Sequence, residues 1–165
     1  MDWDQKIVLD LVPQRSEKLN RYMTFATLLG DGWLWLGIGL FMLIVDQNAE
    51  RLFFQLTLGM GLQLFLYLSI KHACSLRRPF ELLENVPCIR HPSDRYSFPS
   101  GHTAAAFVVL ATVGLFYSFF FLPLLLLASL IRFSRIYLGV HYPTDVFAGA
   151  LLGILCAEAA RWLIQ

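Results

Sequence analysis

Long uncharged hydrophobic runs alternate with short polar segments along most of the chain. Residues 52–70 contain no charged side chain and form the clearest helical run, and residues 32–45 and 146–164 form two further apolar runs. A helix needs about 20 residues to cross the hydrocarbon core of a bilayer. The pattern therefore predicts membrane-spanning helices, with the short 32–45 helix tilted, extended past Asp31 or placed in a thinned bilayer.

Residues 103–131 form the longest uncharged run, and Pro123 interrupts it. A single straight helix of that length would measure about 43 Å, well beyond the roughly 30 Å of the hydrocarbon core. We therefore predict a helical hairpin that turns near residues 121–123, with a second arm that runs on to about Tyr137. Together with the other runs, this hairpin gives five to six membrane helices.

The amino-terminal residues show a different pattern, in which charged side chains interrupt the apolar ones at helical spacing. Residues 3–12 carry their apolar side chains on one face, which is typical of an amphipathic helix lying in the membrane interface. Pro13 ends this helix, and Ser16 is placed to cap a second one. Asp31, which has a glycine on each side, then breaks the second helix.

The composition agrees with this pattern. Hydrophobic residues make up 57% of the chain and charged residues 15%, whereas soluble domains carry about 25% charged residues. We predict an all-α, polytopic transmembrane helix bundle in one domain, 1–165, with an interfacial helix at 1–15 and the main helix bundle at 16–165. The net charge of +1 provides no field that would attract nucleic acid.

Three polar motifs stand at the ends of the apolar runs, and they are Lys71-x6-Arg78-Pro79, Pro99-Ser100-Gly101-His102 and Ser134-Arg135-x5-His141-x3-Asp145. If residues 103–131 form a hairpin, all of these run ends fall on the same side of the membrane. A single helix through Pro123 would separate them. The predicted topology therefore gathers the motifs into one site at the depth of a lipid headgroup.

The residue types in these motifs suit a phosphate group. Lys71, Arg78 and Arg135 can neutralise its charge, and the planar arginine fork can bind two phosphate oxygens. Ser100 offers a hydroxyl, and Gly101 lets the backbone approach closely at the positive end of a helix. We expect these five residues to bind the substrate phosphate.

The two histidines of the motifs suit different roles. His141 precedes Asp145 by one helical turn, a spacing that lets the carboxylate orient the ring and makes His141 the candidate nucleophile. His102 has no carboxylate at matching spacing, which makes it the better general acid. The predicted reaction forms a phosphohistidine on His141, and water then hydrolyses it.

Other readings of the same residues remain open at this stage. The basic cluster could bind an anion in transit through a transporter or channel, or hold vanadate in a haloperoxidase. Cys74 and Cys88 flank one polar stretch and could form a disulfide in an oxidising compartment. The loop between Pro79 and Pro99 offers polar side chains to a headgroup, none of which reads as specific: Glu81, Glu84, Arg90, His91, Asp94 and Arg95.

The three motifs resemble those of the type 2 phosphatidic acid phosphatase family, which shares its site with vanadium haloperoxidases. The resemblance covers roughly residues 16–164 and is closest to compact bacterial membrane members. It implies a phosphatase with no metal and no cofactor, acting on phosphatidic acid, phosphatidylglycerol phosphate, undecaprenyl diphosphate or lipid A 1-phosphate. It also implies the bacterial inner membrane, with the site facing the periplasm or cell exterior. The lipid and the oligomeric state stay open.

Overall fold

The computed structural model describes residues 2–45 and 49–164, and all regular secondary structure in these ranges is helical. The eight α-helices described are α1 Trp3–Leu11, α2 Glu17–Leu28, α3 Gly32–Val45, α4 Ala49–Cys74, α5 Pro79–Leu82, α6 Gly101–Val109, α7 Ser118–Tyr137 and α8 Pro143–Leu163. A 3₁₀ turn, Val12–Gln14, follows α1, and a π-helical turn, Leu110–Gly114, extends α6. The all-α prediction is confirmed.

The first two helices begin and end close to where the sequence predicts. Pro13 lies in the 3₁₀ turn that follows α1. The Ser16 side chain accepts the backbone N–H of Leu19 at 3.3 Å and caps α2. Asp4 on α1 accepts the backbone N–H of Thr144 at 3.1 Å, which ties α1 to the first turn of α8. The interfacial position of α1 stays a prediction.

Three described helical segments are long and apolar enough to cross a membrane: Ala49–Leu82, Ser118–Tyr137 and Pro143–Leu163. The pair α2 and α3 meets the same test when taken together, although the two helices are bent by 51° where they meet. The apolar segment Gly101–Gly114 is shorter. By length and composition, the described residues thus hold three candidate membrane spans, or four if the bent pair counts as one span. The predicted number of five to six stays a prediction.

The hairpin forms, but its turn lies earlier than predicted. The helical run that begins with α6 ends after Gly114, and α7 begins at Ser118. Pro123, which the sequence placed at the turn, lies inside α7. A proline here removes one backbone hydrogen bond without ending the helix, because neighbouring helices stabilise a membrane-embedded segment. The prediction of a turn at residues 121–123 is therefore wrong by several residues.

The closest helix contact in the bundle joins α6 to α8. A Cβ added at Gly149 would lie 2.5 Å from the Ser100 carbonyl oxygen, and one at Gly153 would lie 2.3 Å from that of Ala104. Two glycines four residues apart allow such close backbone approach in membrane helices. The contact sets the start of α6 beside the start of α8, where the Ser100 N–H donates to the Asp145 carbonyl at 3.0 Å.

Polar and apolar side chains are distributed as in a membrane protein. Large apolar groups cover the outside, and Trp33, Ile44 and Phe119 are each 83% exposed. Several charged side chains are instead buried, among them Lys71 and Arg78. Charges inside a membrane bundle are costly and are kept where they serve a function.

Two smaller expectations from the sequence can also be compared with the structure. Glu158 and Arg161 on α8 pair as expected, with Nη2 and Oε2 2.6 Å apart. Cys74, Cys88 and Cys156 are all free. The disulfide that the sequence left open between Cys74 and Cys88 is thus not formed in this structure.

We predict that Gly153→Ala weakens the bundle. The new methyl group would collide with the backbone of α6, and overpacking of this kind costs about 1–3 kcal/mol. Gly61→Ala is the matched control, since a Cβ on this exposed glycine of α4 meets nothing within 4 Å. The control should be neutral or gain up to about 1 kcal/mol from helix propensity. Thermal unfolding in detergent measures both, and equal midpoints would contradict the close contact.

Candidate phosphate-binding site

The predicted site residues meet at one end of the bundle although they come from four separate parts of the chain. Lys71 lies in the last turn of α4, and Arg78 immediately precedes α5. Ser100 precedes α6, and Arg135 lies in the last turn of α7. The remaining members lie at or just before the starts of α6 and α8, and they are Gly101, His102, His141 and Asp145.

Arg78 is the central cation of this site, and its side chain is buried. Its Nη1 donates to the Val140 carbonyl at 2.7 Å and lies 3.3 Å from Nε2 of His141. Because a guanidinium can only donate, Nε2 must accept, which assigns the ring proton to Nδ1. His141, the predicted nucleophile, therefore presents a lone pair toward the cations of the site.

Asp145 lies beside the other nitrogen of the same ring. Its Oδ2 is 3.5 Å from Nδ1 of His141, which is within ion-pair range and longer than a hydrogen bond. The same oxygen accepts the Ser97 hydroxyl and, at 2.8 Å, the backbone N–H of Tyr142. The one-turn spacing thus brings carboxylate and imidazole together, while Ser97 and Tyr142 fix the carboxylate. Such contacts often tighten when substrate binds.

Arg135 enters the site from the end of α7 and is held there by α2. Its Nη1 donates to Oγ1 of Thr27 at 2.6 Å, and its carbonyl accepts the backbone N–H of His141 at 3.3 Å. In the part of the chain that the structure describes, Nε of Arg135 and Nε of Arg78 are buried donors without a partner. Two guanidinium N–H groups therefore remain for an anion.

The start of α6 is closely packed. The Ser100 hydroxyl is buried and lies 2.9 Å from the Thr103 hydroxyl. A Cβ at Gly101 would lie 2.8 Å from the ring of Tyr67 on α4. The sequence explains Gly101 by the close approach of a phosphate, and in the structure the Tyr67 ring also requires a glycine here.

Asp94 occupies the middle of the cationic cluster, a role that the sequence did not single out. Its carboxylate accepts hydrogen bonds from Lys71, Arg78 and the hydroxyl of Tyr67. Arg78 also donates to the carbonyl of Tyr96 at 2.8 Å, which fixes the same loop. An acidic side chain of the loop thus pairs with two of the cations that are expected to bind phosphate.

His102 also has a carboxylate partner that its local sequence does not reveal. Nε2 of His102 lies 2.8 Å from Oδ1 of Asp31, which stands at the bend between α2 and α3. The sequence marked Asp31 only as a helix breaker, because the two residues are 71 positions apart. Packing of the bend against α6 brings them together.

Burial and the neighbouring cations shift the pKa in opposite directions at Asp94 and in the same direction at His141. Burial alone would raise the pKa of the Asp94 carboxyl, but hydrogen bonds from Lys71 and Tyr67 and the nearby cations outweigh it and hold that pKa well below its usual range. Burial lowers the pKa of His141, and the charges of Arg135, Arg78 and Lys71 lower it further. His141 is therefore neutral at pH 7.

A cavity of about 430 Å³ opens beside the cluster. Polar groups at one end of it include Asp31, Asp94 and His102, while apolar side chains of α3 and α4 form the remainder, among them Trp35, Leu36, Phe53, Leu56, Met60 and Leu64. Over residues 2–45 and 49–164, no group of three or more His, Cys, Asp or Glu side chains could hold a metal ion. The site thus combines an anion cradle with an apolar groove.

An all-helical bundle that buries a cationic cluster beside two histidines and an apolar groove defines a class of helical membrane proteins with a site that can bind an anion. Residues 52–165 match the sequence profile of the PAP2 superfamily. The chain belongs to the PAP2 superfamily, which confirms the resemblance noted from its motifs. Members of the family act as phosphatases on lipid phosphates.

Three similar proteins illustrate the range of the family. The bacitracin transport permease protein BcrC of Bacillus licheniformis is 45% identical over 52% of this chain and 42% of its own length. An undecaprenyl-diphosphatase of Sulfolobus acidocaldarius is 29% identical over 82% of this chain and 66% of its own length. The crystal structure of LpxE from Aquifex aeolicus has a TM-score of 0.86 and 30% identity, and the match covers 98% of this chain and 96% of that one.

The chain therefore spans less than two thirds of the length of these two curated relatives, while it matches nearly all of the LpxE structure. The chain shares its fold with LpxE over nearly its whole length. All three site motifs lie inside residues 52–165, which match the family profile. Transport of bacitracin and hydrolysis of undecaprenyl diphosphate are named for these relatives and not for this chain.

We predict that Asp94→Asn strengthens phosphate binding. Without its negative charge, the side chain competes less for Lys71 and Arg78. Because both cations are buried, the gain in affinity should exceed the roughly fivefold change that an exposed ion pair would give. Thermal unfolding at increasing inorganic phosphate concentration measures that affinity without requiring turnover. Asp10→Asn, on the exposed face of α1, is the control. Unchanged or weaker protection by phosphate would contradict competition by Asp94.

Proposed function

We propose that the protein is an integral membrane lipid phosphatase that hydrolyses a phosphomonoester or diphosphate lipid through a phosphohistidine intermediate. The observation that carries this proposal is the set of three buried cations around a neutral, buried imidazole. Three fixed positive charges suit the spreading negative charge of a phosphoryl group in transfer. A nucleophile held at their centre turns such a cradle into a catalytic site.

The donors of the cradle fit a phosphate. Arg78 and Arg135 each keep a buried Nε–H without a partner within the described residues, and Lys71 carries a third buried charge. These groups come from three separate parts of the chain, namely α4, the segment before α5, and α7. We propose that Ser100 and Gly101 add a hydroxyl and a backbone N–H at the start of α6.

The apolar groove supports a lipid as the carrier of the phosphate. It runs from Asp94 and His102 along α3 and α4 toward the middle of the bundle. A phosphate seated among the cations would leave its alkyl or prenyl chain beside Leu56, Met60 and Leu64, where contact with apolar side chains is favourable. A water-soluble phosphate ester would gain nothing from this groove.

The proposed reaction has two steps. In the first, Nε2 of His141 forms a bond to phosphorus, the bond from phosphorus to the leaving oxygen breaks, and His102 gives that oxygen its proton. In the second, water attacks phosphorus, His102 takes a proton from the water, and the bond from phosphorus to Nε2 breaks. Asp145 orients the imidazole of His141 throughout.

The candidate substrates are undecaprenyl diphosphate, phosphatidylglycerol phosphate, phosphatidic acid and lipid A 1-phosphate. The undecaprenyl-diphosphatase relative favours the first. The motif resemblance supports a location in the bacterial inner membrane, with the site facing the periplasm or cell exterior. We propose that location together with the activity.

Transport of an anion is the alternative function, and the name of the BcrC relative, a transport permease protein, supports it. A transporter does not need the His141–Asp145 pair, whereas hydrolysis does. A vanadate-dependent haloperoxidase would use the same cradle, but the exposed apolar side chains and membrane helices favour an embedded lipid enzyme. A peroxidase assay with vanadate separates this possibility from hydrolysis.

We predict that His141→Ala abolishes phosphate release while the protein still inserts and folds. Loss of the nucleophile should lower kcat by at least about 10³-fold. The assay measures phosphate released from the four candidate lipids in detergent with excess EDTA, since side-chain cations supply the positive charge. His72→Ala, at the exposed end of α4, is the matched control and should keep full activity. Hydrolysis that survives in His141→Ala, or a requirement for added Mg²⁺, would contradict the mechanism.

We predict that the acid limb of the profile of kcat/KM against pH lies below pH about 6.5, the ordinary pKa of histidine. His141 attacks only when neutral, and because burial and the cations lower its pKa, it stays neutral at lower pH than a free histidine. Arg135→Ala should move this limb upward. If ionisation of the substrate phosphate set the acid limb, Arg135→Ala would not move it. That result would contradict the assignment of the limb to His141.

A further inference from the structure

Asp31 makes a contact with His102 that the proposed mechanism does not yet use. Oδ1 of Asp31 lies 2.8 Å from Nε2 of His102, and both side chains are only partly exposed, at 36% and 27%. Asp31 belongs to neither α2 nor α3 but to the bend between them. An aspartate is expected at a helix break, but helix propensity alone does not explain why its carboxylate contacts a histidine of another helix.

The bend is packed closely enough to hold the ring in one orientation. A Cβ added at Gly30 would lie 3.0 Å from Cδ2 of His102 and 2.9 Å from Cγ2 of Ile131. The backbone of the bend therefore lies directly against the imidazole on one side and α7 on the other. The absence of a side chain at Gly30 permits this close approach of the bend to His102 and Ile131.

The second oxygen of Asp31 faces the polar loop. Oδ2 lies 4.0 Å from Nη2 of Arg90, and Nη1 of Arg90 donates to the Thr24 carbonyl of α2 at 3.5 Å. Asp31 is thus placed between His102 and a cation that is itself attached to α2. This arrangement restrains the carboxylate from both sides.

We propose that Asp31 is the positioning residue of the general acid: it accepts a hydrogen bond from Nε2 of His102 and directs Nδ1 toward the leaving oxygen of the substrate. The proposal rests on the proposed function. Because Nε2 is committed to Asp31, Nδ1 is the ring nitrogen left to exchange a proton with the substrate. His102 and Asp31 both line the cavity beside the cradle, where the leaving oxygen would lie.

The proton transfers balance in both steps. In the first, the proton on Nδ1 of His102 moves to the leaving oxygen as the bond from that oxygen to phosphorus breaks. In the second, Nδ1 takes a proton from the attacking water as the bond from phosphorus to His141 breaks. Nε2 keeps its proton throughout, and the Asp31 carboxylate stabilises the positively charged form of the ring.

A purely structural role for Asp31 would give a different result from a positioning role. If the contact only fastens the bend to α6, its loss should reduce hydrolysis of every substrate alike. If Asp31 positions the acid, its loss should matter only where the leaving oxygen needs a proton. The leaving alcohol of phosphatidic acid needs one, whereas p-nitrophenolate leaves without it.

The test compares kcat/KM for phosphatidic acid and p-nitrophenyl phosphate in wild type, Asp31→Ala and the size-preserving Asp31→Asn. General acids contribute about 10²–10⁴-fold, so we expect Asp31→Ala to lose about tenfold or more on phosphatidic acid. Activity on p-nitrophenyl phosphate should stay within about threefold and also reports correct folding. Asp10→Asn is the control and should change neither value. Equal losses on the two substrates in both Asp31 variants would overturn the proposal.

A double-mutant cycle tests whether Asp31 acts through His102. Asp31→Ala should have no further effect on phosphatidic acid hydrolysis in a His102→Ala background, because its partner is already gone. Independent, additive losses would overturn the proposal. Wild-type protein that hydrolyses neither p-nitrophenyl phosphate nor any of the four candidate lipids would instead refute the proposed function, so that the two failures are distinguishable.

Discussion

Burying Lys71, Arg78 and Arg135 within a helical bundle is the constraint on which the rest of the site depends. Cations removed from water are costly unless anions or lone pairs face them. Asp94, the lone pair on His141 and the hydroxyl of Thr27 supply part of this compensation. In the described residues, Nε of Arg78 and Nε of Arg135 stay buried without a partner. The buried cations thus leave donors that can bind an anion.

Close packing of α6 on α8 makes this arrangement possible. Gly149 and Gly153 let the two backbones touch, which sets Ser100 beside Asp145 and fixes the register between the two helix starts. Asp145 then meets His141 one turn away. A site assembled on helix ends depends on such register more than on the identity of the lipid-facing residues, which can vary among apolar types.

Much of this could be predicted from the sequence because it is local. Apolar runs located the main helices, and short motif spacings brought His141 and Asp145 together. The contacts of Asp94 with Lys71, of Asp31 with His102 and of Thr27 with Arg135 join residues 23, 71 and 108 positions apart. Such pairings follow from packing and have no local signature. The hairpin turn was misplaced because Pro123 was taken as a helix end.

The α6–α8 contact also orders the events of assembly. The later of the two partners, α8, is synthesised after α1–α7, and it carries Asp145 and follows directly on His141. Non-local contacts form only after the intervening chain is in place. The earlier helices can enter the membrane with the cradle still open on one side. The parts of the site therefore come together in a single late event, when α8 docks, and a chain truncated before α8 would lack the Asp145 carboxylate beside His141.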